Sequence, residues 1–320
     1  MKTNILITGG AGNIGSSLAK QLCVNNNYHI IVVDNLSTGS RVKLPSSQEN
    51  LTFINADCNN YQEVAKIFFK YSIDYVFHLA AVVGVQRTQD YPLRVLNDIR
   101  GIEYLLDLSK ISGVKKFFYA SSSEVYGEPV EIPQKEHSTP LNSKVPYAVV
   151  KNVGECYCRS YQKEYGLNYC IFRFFNTYGP YQTTDFVIPK FLVAAIKNQP
   201  LTIYGDGLQS RTFTYIDDTI DTIIRSFENN TINNDVLNVG NDEMISVLEL
   251  AERIIKITNS KSKIQFLPAL KEGDMSRRMP DNTNMRKILN RPLVSLEEGI
   301  NKLLTNKIFL QLNGVNVCAE

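Results

Sequence analysis

Residues 8–16, Thr8-Gly9-Gly10-Ala11-Gly12-Asn13-Ile14-Gly15-Ser16, follow a short β-branched run and open a helical pattern, and nothing else in the chain restricts its fold so tightly. Glycines at 9, 12 and 15 let the backbone turn sharply, approach a pyrophosphate closely and pack the helix on the strand. The free N–H groups at the helix start, around Asn13 and Ile14, then face the phosphates. Asp34 ends the next apolar run about 20 residues on, where a carboxylate accepts hydrogen bonds from an adenosine ribose. That carboxylate repels the 2′-phosphate of NADP, so NAD is the cofactor expected. Asn35 beside it and Asp57 with Cys58 after the third run extend the cofactor side. Asp57 is the less specific of these, since acidic residues at strand ends often cap the next helix.

Around this loop, short apolar runs at 5–8, 29–34, 52–55, 75–80, 116–121 and 169–174 alternate with amphipathic stretches at 14–25, 61–70, 93–112 and 147–165. That alternation predicts βαβ units and a doubly wound α/β domain of Rossmann type, over residues 1–175, with helices on both faces of a parallel sheet. After residue 176 turn-rich segments separate helices at 189–198, 217–228 and 246–257 from a short strand at 201–204. We expect residues 176–320 to form a smaller α+β substrate-binding lobe, with 211–240 packing back on the first domain and a ligand cleft between the two. Residues 307–320 show no clear pattern.

Composition bounds the partners. The 34 Lys and Arg nearly balance 32 Asp and Glu, which leaves no broad field for a nucleic acid or an anionic membrane, so phosphates must be met by a local site. Six scattered cysteines, without a CxxC pair and with three histidines, indicate neither a metal centre nor a disulfide framework. A reducing, cytoplasmic setting is expected, and no apolar run approaches the ~20 residues of a membrane span. There is no Trp, but there are 17 Tyr and 15 Phe. Most of the tyrosines are expected to supply packing area with a polar tip.

One tyrosine has a chemical expectation. Tyr147 and Lys151 lie four residues apart, on one face of a helix. A nearby ammonium favours the phenolate and lowers the tyrosine pKa, which suits proton exchange with a sugar or alcohol hydroxyl. The run Ser121-Ser122-Ser123-Glu124-Val125-Tyr126-Gly127 ends an earlier strand on the edge where doubly wound folds place ligands, so a serine there can share the bond to the reacting oxygen.

With these residues the chain resembles the extended short-chain dehydrogenase/reductases that act on nucleotide sugars, from about residue 3 to residue 304. TGGAGNIG at 8–15 is similar to the family's TGxxGxxG, and His78-Leu79-Ala80-Ala81 to the HxAA segment along the nicotinamide ribose. Asn97 and Gly101 are taken as the NxxG of its fourth helix. Residues 173–180, RFFNTYGP, look like RxxNxYGP, and residues 205–211, GDGLQSR, like GxGxQxR. The resemblance implies that Ser122 is the catalytic hydroxyl, Tyr147 the general base and Lys151 its partner. It implies further that Asn176, Arg211 and one of Arg277 and Arg278 meet a sugar diphosphate, that Ser123 lies at the substrate, and that Val187, Lys190, Ile203 and Tyr204 line the base. Tyr126 and Tyr178 would stand near the cleft, and the helices at 93–112 and 147–165 would pair in a homodimer.

The implied chemistry begins with transient oxidation at the sugar C4, most plausibly in a 4-epimerase. Glu124 leaves alternatives open. In related dehydratases a carboxylate there removes the C5 proton, and uronate decarboxylases carry a similar Thr/Ser-Ser-Glu triplet. The Asp that glucose 4,6-dehydratases set beside that Glu is Ser123 here. A plain 4-dehydrogenase and an inactive scaffold that binds NAD and nucleotide sugar complete the alternatives.

Overall fold

The computed structural model describes residues 2–46, 48–269 and 277–315. Expectations at 272–276 and at 316–320, including Cys318, fall outside the described residues. Six strands, β1 (Thr3–Thr8), β2 (Tyr28–Asp34), β3 (Leu51–Asn55), β4 (Tyr75–His78), β5 (Lys116–Ser122) and β6 (Tyr169–Phe174), alternate with α1 (Asn13–Leu22), α2 (Tyr61–Lys70), α3 (Val85–Asp90), α4 (Pro92–Ile111) and α5 (Pro146–Tyr165). Then follow β7 (Thr177–Tyr178), α6 (Val187–Ile196), β8 (Leu201–Tyr204), β9 (Ser210–Thr212), β10 (Thr214–Tyr215), α7 (Ile216–Glu228), β11 (Asp235–Val239), β12 (Met244–Ser246), α8 (Val247–Ile257), β13 (Ile264–Leu267), α9 (Thr283–Leu289), α10 (Leu296–Leu304) and α11 (Lys307–Leu312).

The main sheet has seven strands in the order β3-β2-β1-β4-β5-β6-β11, every pair parallel. The order reverses between β1 and β4, and such a switch point opens a crevice at the carboxyl ends of the strands. Both faces are apolar, as covered parallel strands require. On one face Leu6, Ile31, Val33, Val76, Phe117, Tyr119 and Ile171 pack under α2, α4 and α5. On the other, Ile5, Ile7, Phe77, Phe118 and Phe172 share a core with α1, α6, α7 and α8. The chain beyond residue 176 therefore covers one face of the sheet and also adds the edge strand β11.

Without Trp, the sheet is filled by smaller rings. Phe77 and Phe118 stack at 4.3 Å, and Phe227 of α7 meets both edge-on. The chain from residue 307, expected to be patternless, forms α11. Asn306 caps it by accepting from Phe309 N at 2.9 Å, and Phe309 is fully buried.

Candidate active site

The glycine loop sits on the end of β4. A Cβ on Gly9, at φ +66°, would lie 2.6 Å from Ala80 N, and one on Gly15 would lie 2.3 Å from Gly9 O, so neither position admits a side chain. This explains why β4 stops at His78 and not at residue 80. Leu79 N donates to Thr8 O at 3.1 Å, and Ala80 and Ala81 turn past the loop. Gly12 starts α1 with no side-chain cap, which leaves the first-turn amides for an anion. Asn13 Oδ1 is buried beside them without a partner. A close-approach cradle, an open helix N-terminus and an acidic strand end suit NAD.

Asp34 is 8 % exposed and accepts from Ala11 N at 2.9 Å and Leu36 N at 2.8 Å. These bonds hold it against the loop in one orientation. Asn35 and Asp57 each bond the backbone two residues on, at Ser37 N and Asn59 N, and are turn formers. Asn60, and not Asp57, caps α2. Cys58 is buried and its thiol is pushed up to about 12 by burial, so what it offers a ligand is backbone.

The NxxG assignment needs correction. Asn97 stands four residues before Gly101 and is exposed; Asp98 has the right spacing and points inward. Its carboxylate accepts from Val82 N at 2.8 Å and Asn59 Nδ2 at 3.1 Å, while Asn59 Oδ1 takes Gly101 N. The signal was in the count of residues.

Pro146 at the first position of α5 sets Tyr147 in the first turn and Lys151 one turn below. Lys151 is 3 % exposed, donates to Ala120 O at 2.7 Å, and lies 5.3 Å from the Tyr119 ring and 5.7 Å from the Tyr147 ring. Burial lowers its ammonium to about 8, against the pull of Asp98. Ser122, at the end of β5, bonds the Tyr147 phenol and accepts from Glu124 N at 3.2 Å. The three residues do meet at the carboxyl edge of the sheet. The expectation that Lys151 lowers the Tyr147 pKa is not met. Burial, then the Glu124 carboxylate, push the phenol up, and the Ser122 bond and Arg278 only oppose them.

Beneath β5 lies a polar network. Glu155 is fully buried and receives Arg173 Nε at 2.8 Å, Arg173 Nη2 at 2.7 Å, Arg159 Nη2 at 2.8 Å and Ser121 Oγ at 2.6 Å. Arg173 Nη1 also reaches Tyr126 Oη, which donates to Asn238 Oδ1 at 2.7 Å. Tyr126 is thus a buried strut, not a cleft residue, and so is Tyr178, which is 2 % exposed with its hydroxyl toward Leu296 O. Alongside, Thr8 Oγ1 and His78 Nδ1 lie 2.7 Å apart. Burial, then the Lys151 charge, lower the imidazole to about 3.

The structure separates the two late arginines. The Ser210–Arg277 and Gln134–Pro280 bridges hold this segment extended, so successive side chains alternate. Arg277 is exposed, whereas Arg278 is 5 % exposed and turned inward. Its Nη1 lies 3.3 Å from Ser123 Oγ and 3.6 Å from Glu124 Oε1, and its Nε is buried with no partner. Arg211, next to the same bridge, is 8 % exposed and donates to Ser210 O. Asn176 Nδ2 donates to Thr212 O at 3.1 Å. Val187 opens α6, and the Lys190 ammonium stands 5.1 Å over the exposed Tyr204 ring. The Ile203 side chain is buried in the core, so it does not line a ligand.

Residues 5–240 match the model of the NAD dependent epimerase/dehydratase family. The chain is 34% identical over 313 residues to UDP-glucuronic acid decarboxylase 1 of Danio rerio, covering 95% of this chain and 72% of that one. Its structure is similar to that of a UDP-glucose 4-epimerase from Thermotoga maritima, with TM-score 0.87, 32% identity, and 97% and 98% of the two chains covered. It is also similar to a UDP-glucuronic acid 4-epimerase from Bacillus cereus solved with NAD, with TM-score 0.86, 31% identity and 97% and 100% covered. A matched family model over most of the chain, on a fold that brings Ser122, Tyr147 and Lys151 together beside the glycine loop, makes this protein a member of the NAD-dependent epimerase/dehydratase family.

Proposed function

We propose that the protein is a 4-epimerase of a nucleoside-diphosphate sugar, working through transient oxidation at C4. The observation that carries this is the meeting of Ser122, Tyr147 and Lys151 beside the glycine-loop cradle. Ser122 and Tyr147 share the C4 hydroxyl, and Tyr147 takes its proton and later returns it. NAD, held by the glycine loop and Asp34, would supply the hydride acceptor and donor. Lys151 holds the phenolate by charge and is anchored on Ala120 O. Arg211 meets the diphosphate, Asn176 lies beside it, and Val187, Lys190 and Tyr204 border the base.

The site of Glu124 supports decarboxylation of a hexuronate as the alternative, because its carboxylate stands beside Tyr147 in the cleft, paired with Arg278. Purified protein incubated with UDP-glucose and UDP-glucuronate in D2O separates the two. Inversion at C4 with no deuterium in the product is expected. Deuterium at C5, or a pentose product, would sink the epimerase assignment.

The protein is further proposed to be a cytoplasmic homodimer. The five described cysteines are free. A groove of about 470 Å³ along the outer face of α5, lined by Val149, Val153, Cys156, Tyr157, Tyr161 and Tyr165, suits a second copy. Leu105 and Leu108 of α4 are core residues and add nothing to that surface. No helix among the described residues is long and apolar enough to cross a membrane.

A further inference from the structure

Four successive residues of β5 meet α5, and three of them pull the two elements together. Ala120 O takes the Lys151 ammonium at 2.7 Å, Ser121 Oγ donates to Glu155 Oε1 at 2.6 Å, and Ser122 bonds the Tyr147 phenol. The fourth, Tyr119, gives the helix no hydrogen bond. Its ring is fully buried and the ring edge rests on Gly154, where a Cβ would lie 2.8 Å from Cε1 and closer still to Cζ and Oη. Gly154 has ordinary helical backbone, and glycine inside a helix weakens it, so what this position excludes is volume.

The hydroxyl shows what the side chain is for. Tyr119 Oη is buried without a partner, whereas Tyr126 and Tyr161 place theirs on Asn238 and Asp107. A phenol that forms no bond in the core is costly to bury, so this one contributes its bulk and its ring. The Lys151 ammonium stands 5.3 Å from the ring centroid, and the His78 imidazole stacks at 6.0 Å. His78 is tied in turn to Thr8 Oγ1 at the root of the glycine loop, which backs the ring from the side of β4.

The contact lies directly under the reacting groups. Tyr147 stands seven residues before Gly154 on α5, and Ser122 three residues after Tyr119 on β5. Each span is about 10 Å of regular structure, so a change in how deeply α5 sits at Gly154 is passed on to the pair above it.

We infer that Tyr119 is a positioning residue for the proton transfer: its ring edge, seated on the bare Cα of Gly154, is the stop against which the three polar ties draw α5, and it sets the reach from Tyr147 to Ser122 while it holds the Lys151 ammonium. This deepens the proposed oxidation at C4 and takes its chemical meaning from it.

Turnover of UDP-glucose and UDP-glucuronate by the NAD-loaded full chain is compared across variants. Gly154→Ala should lower kcat by about 100-fold, the scale of a misplacement of about 1 Å, with KM and NAD affinity held within about 3-fold. Its crystal structure should show Ser122 Oγ and Tyr147 Oη further apart than in the unmutated chain. Tyr119→Phe, which keeps the ring edge on Gly154 and gives up an unbonded hydroxyl, should lose less than about 10-fold. In Tyr119→Leu/Gly154→Ala the shorter side chain makes room for the methyl, and kcat should return to within about 10-fold. Around the ammonium stand Tyr147 of its own helix, Tyr119 of β5, His78 of β4 and Asp98 of α4. Because the double variant takes one ring from that set, the alkaline limb of its kcat/KM should stay below that of the unmutated chain.

Gly154→Ala with unmutated kcat or unmutated spacing overturns the inference, as does a double variant no better than Gly154→Ala. A loss in Tyr119→Phe as large as in Gly154→Ala would make the hydroxyl a proton carrier and also overturns it. If Gly154→Ala does not fold, a double variant that folds and turns over supports the stop, and one that does neither overturns it. The C4 reading fails separately, when the unmutated chain changes neither sugar at C4, and the spacing in the two crystal structures still decides the stop.

Discussion

Arg173 and Arg278 are almost equally buried, 1 % and 5 % exposed, yet the molecule treats them in opposite ways. Below the end of β5, Arg173 and Glu155 use two close hydrogen bonds, with Ser121, Arg159 and Tyr126 completing the network. Above it, Arg278 and Glu124 are held at 3.6 Å. The lower pair is finished by the chain itself and fixes the position of the strand that presents Ser122. The upper pair is left open toward the cleft. The difference teaches that burial of a charge does not tell its role. What tells it is how many of its donors the protein has already used.

Removing one side of the finished network should have the largest effect. Glu155→Gln leaves Arg173 buried without a countercharge and is expected to cost about 3–5 kcal/mol of stability. Arg278→Gln should cost less than about 1 kcal/mol, since little bonding is lost. Urea unfolding of the two variants compares them, and equal losses would break the distinction.

The floor of the site also contains His78, held neutral, which makes its contribution depend on pH. Its folded pKa, about 3, lies below the ordinary 6.5, so the unfolded chain binds the proton first as pH falls. Stability is therefore lost on acidification from about 6.5 toward 3, by about 2 kcal/mol between pH 7 and pH 5. Unfolding at the two pH values measures it. His78→Asn should remove most of that slope, and an unchanged slope would assign it to other groups.

Asp98 lies between floor and cleft, and its effect should be the smallest. It opposes the burial that lowers Lys151 to about 8. With Asp98→Asn the ammonium loses its proton at lower pH, and the alkaline limb of kcat/KM should move down by up to about 1 unit. A limb that stays in place would show that Asp98 serves only to hold Val82 and Asn59.

Much of this was legible in the sequence because it depends on local spacing. The glycine loop, Asp34, the one-turn separation of Tyr147 and Lys151, and the bounds of β6, α2 and β8 all follow from periodicity within a dozen residues. Asp98 was legible too and was missed by one position. Other features were not local. That residues 211–240 pack back on the first domain was expected, but nothing in the spacing told that β11 pairs with β6 across more than 60 residues. Tyr126 and Tyr178 belong to motifs that border the cleft, but their rings turn into the core, where Asn238 and Leu296 receive their hydroxyls. Ile203 likewise faces inward on a strand whose next residue, Tyr204, faces out.

By itself, the sequence determined the parallel α/β framework, the glycine loop and which residues are candidates for proton transfer, because each depends on which residue types stand at fixed short intervals. Only the tertiary structure decided which of Arg277 and Arg278 turns inward, what Glu124 pairs with, and which way the Tyr147 pKa moves. Each of these depends on burial and on charges brought together from distant parts of the chain. A spacing rule has no information about either.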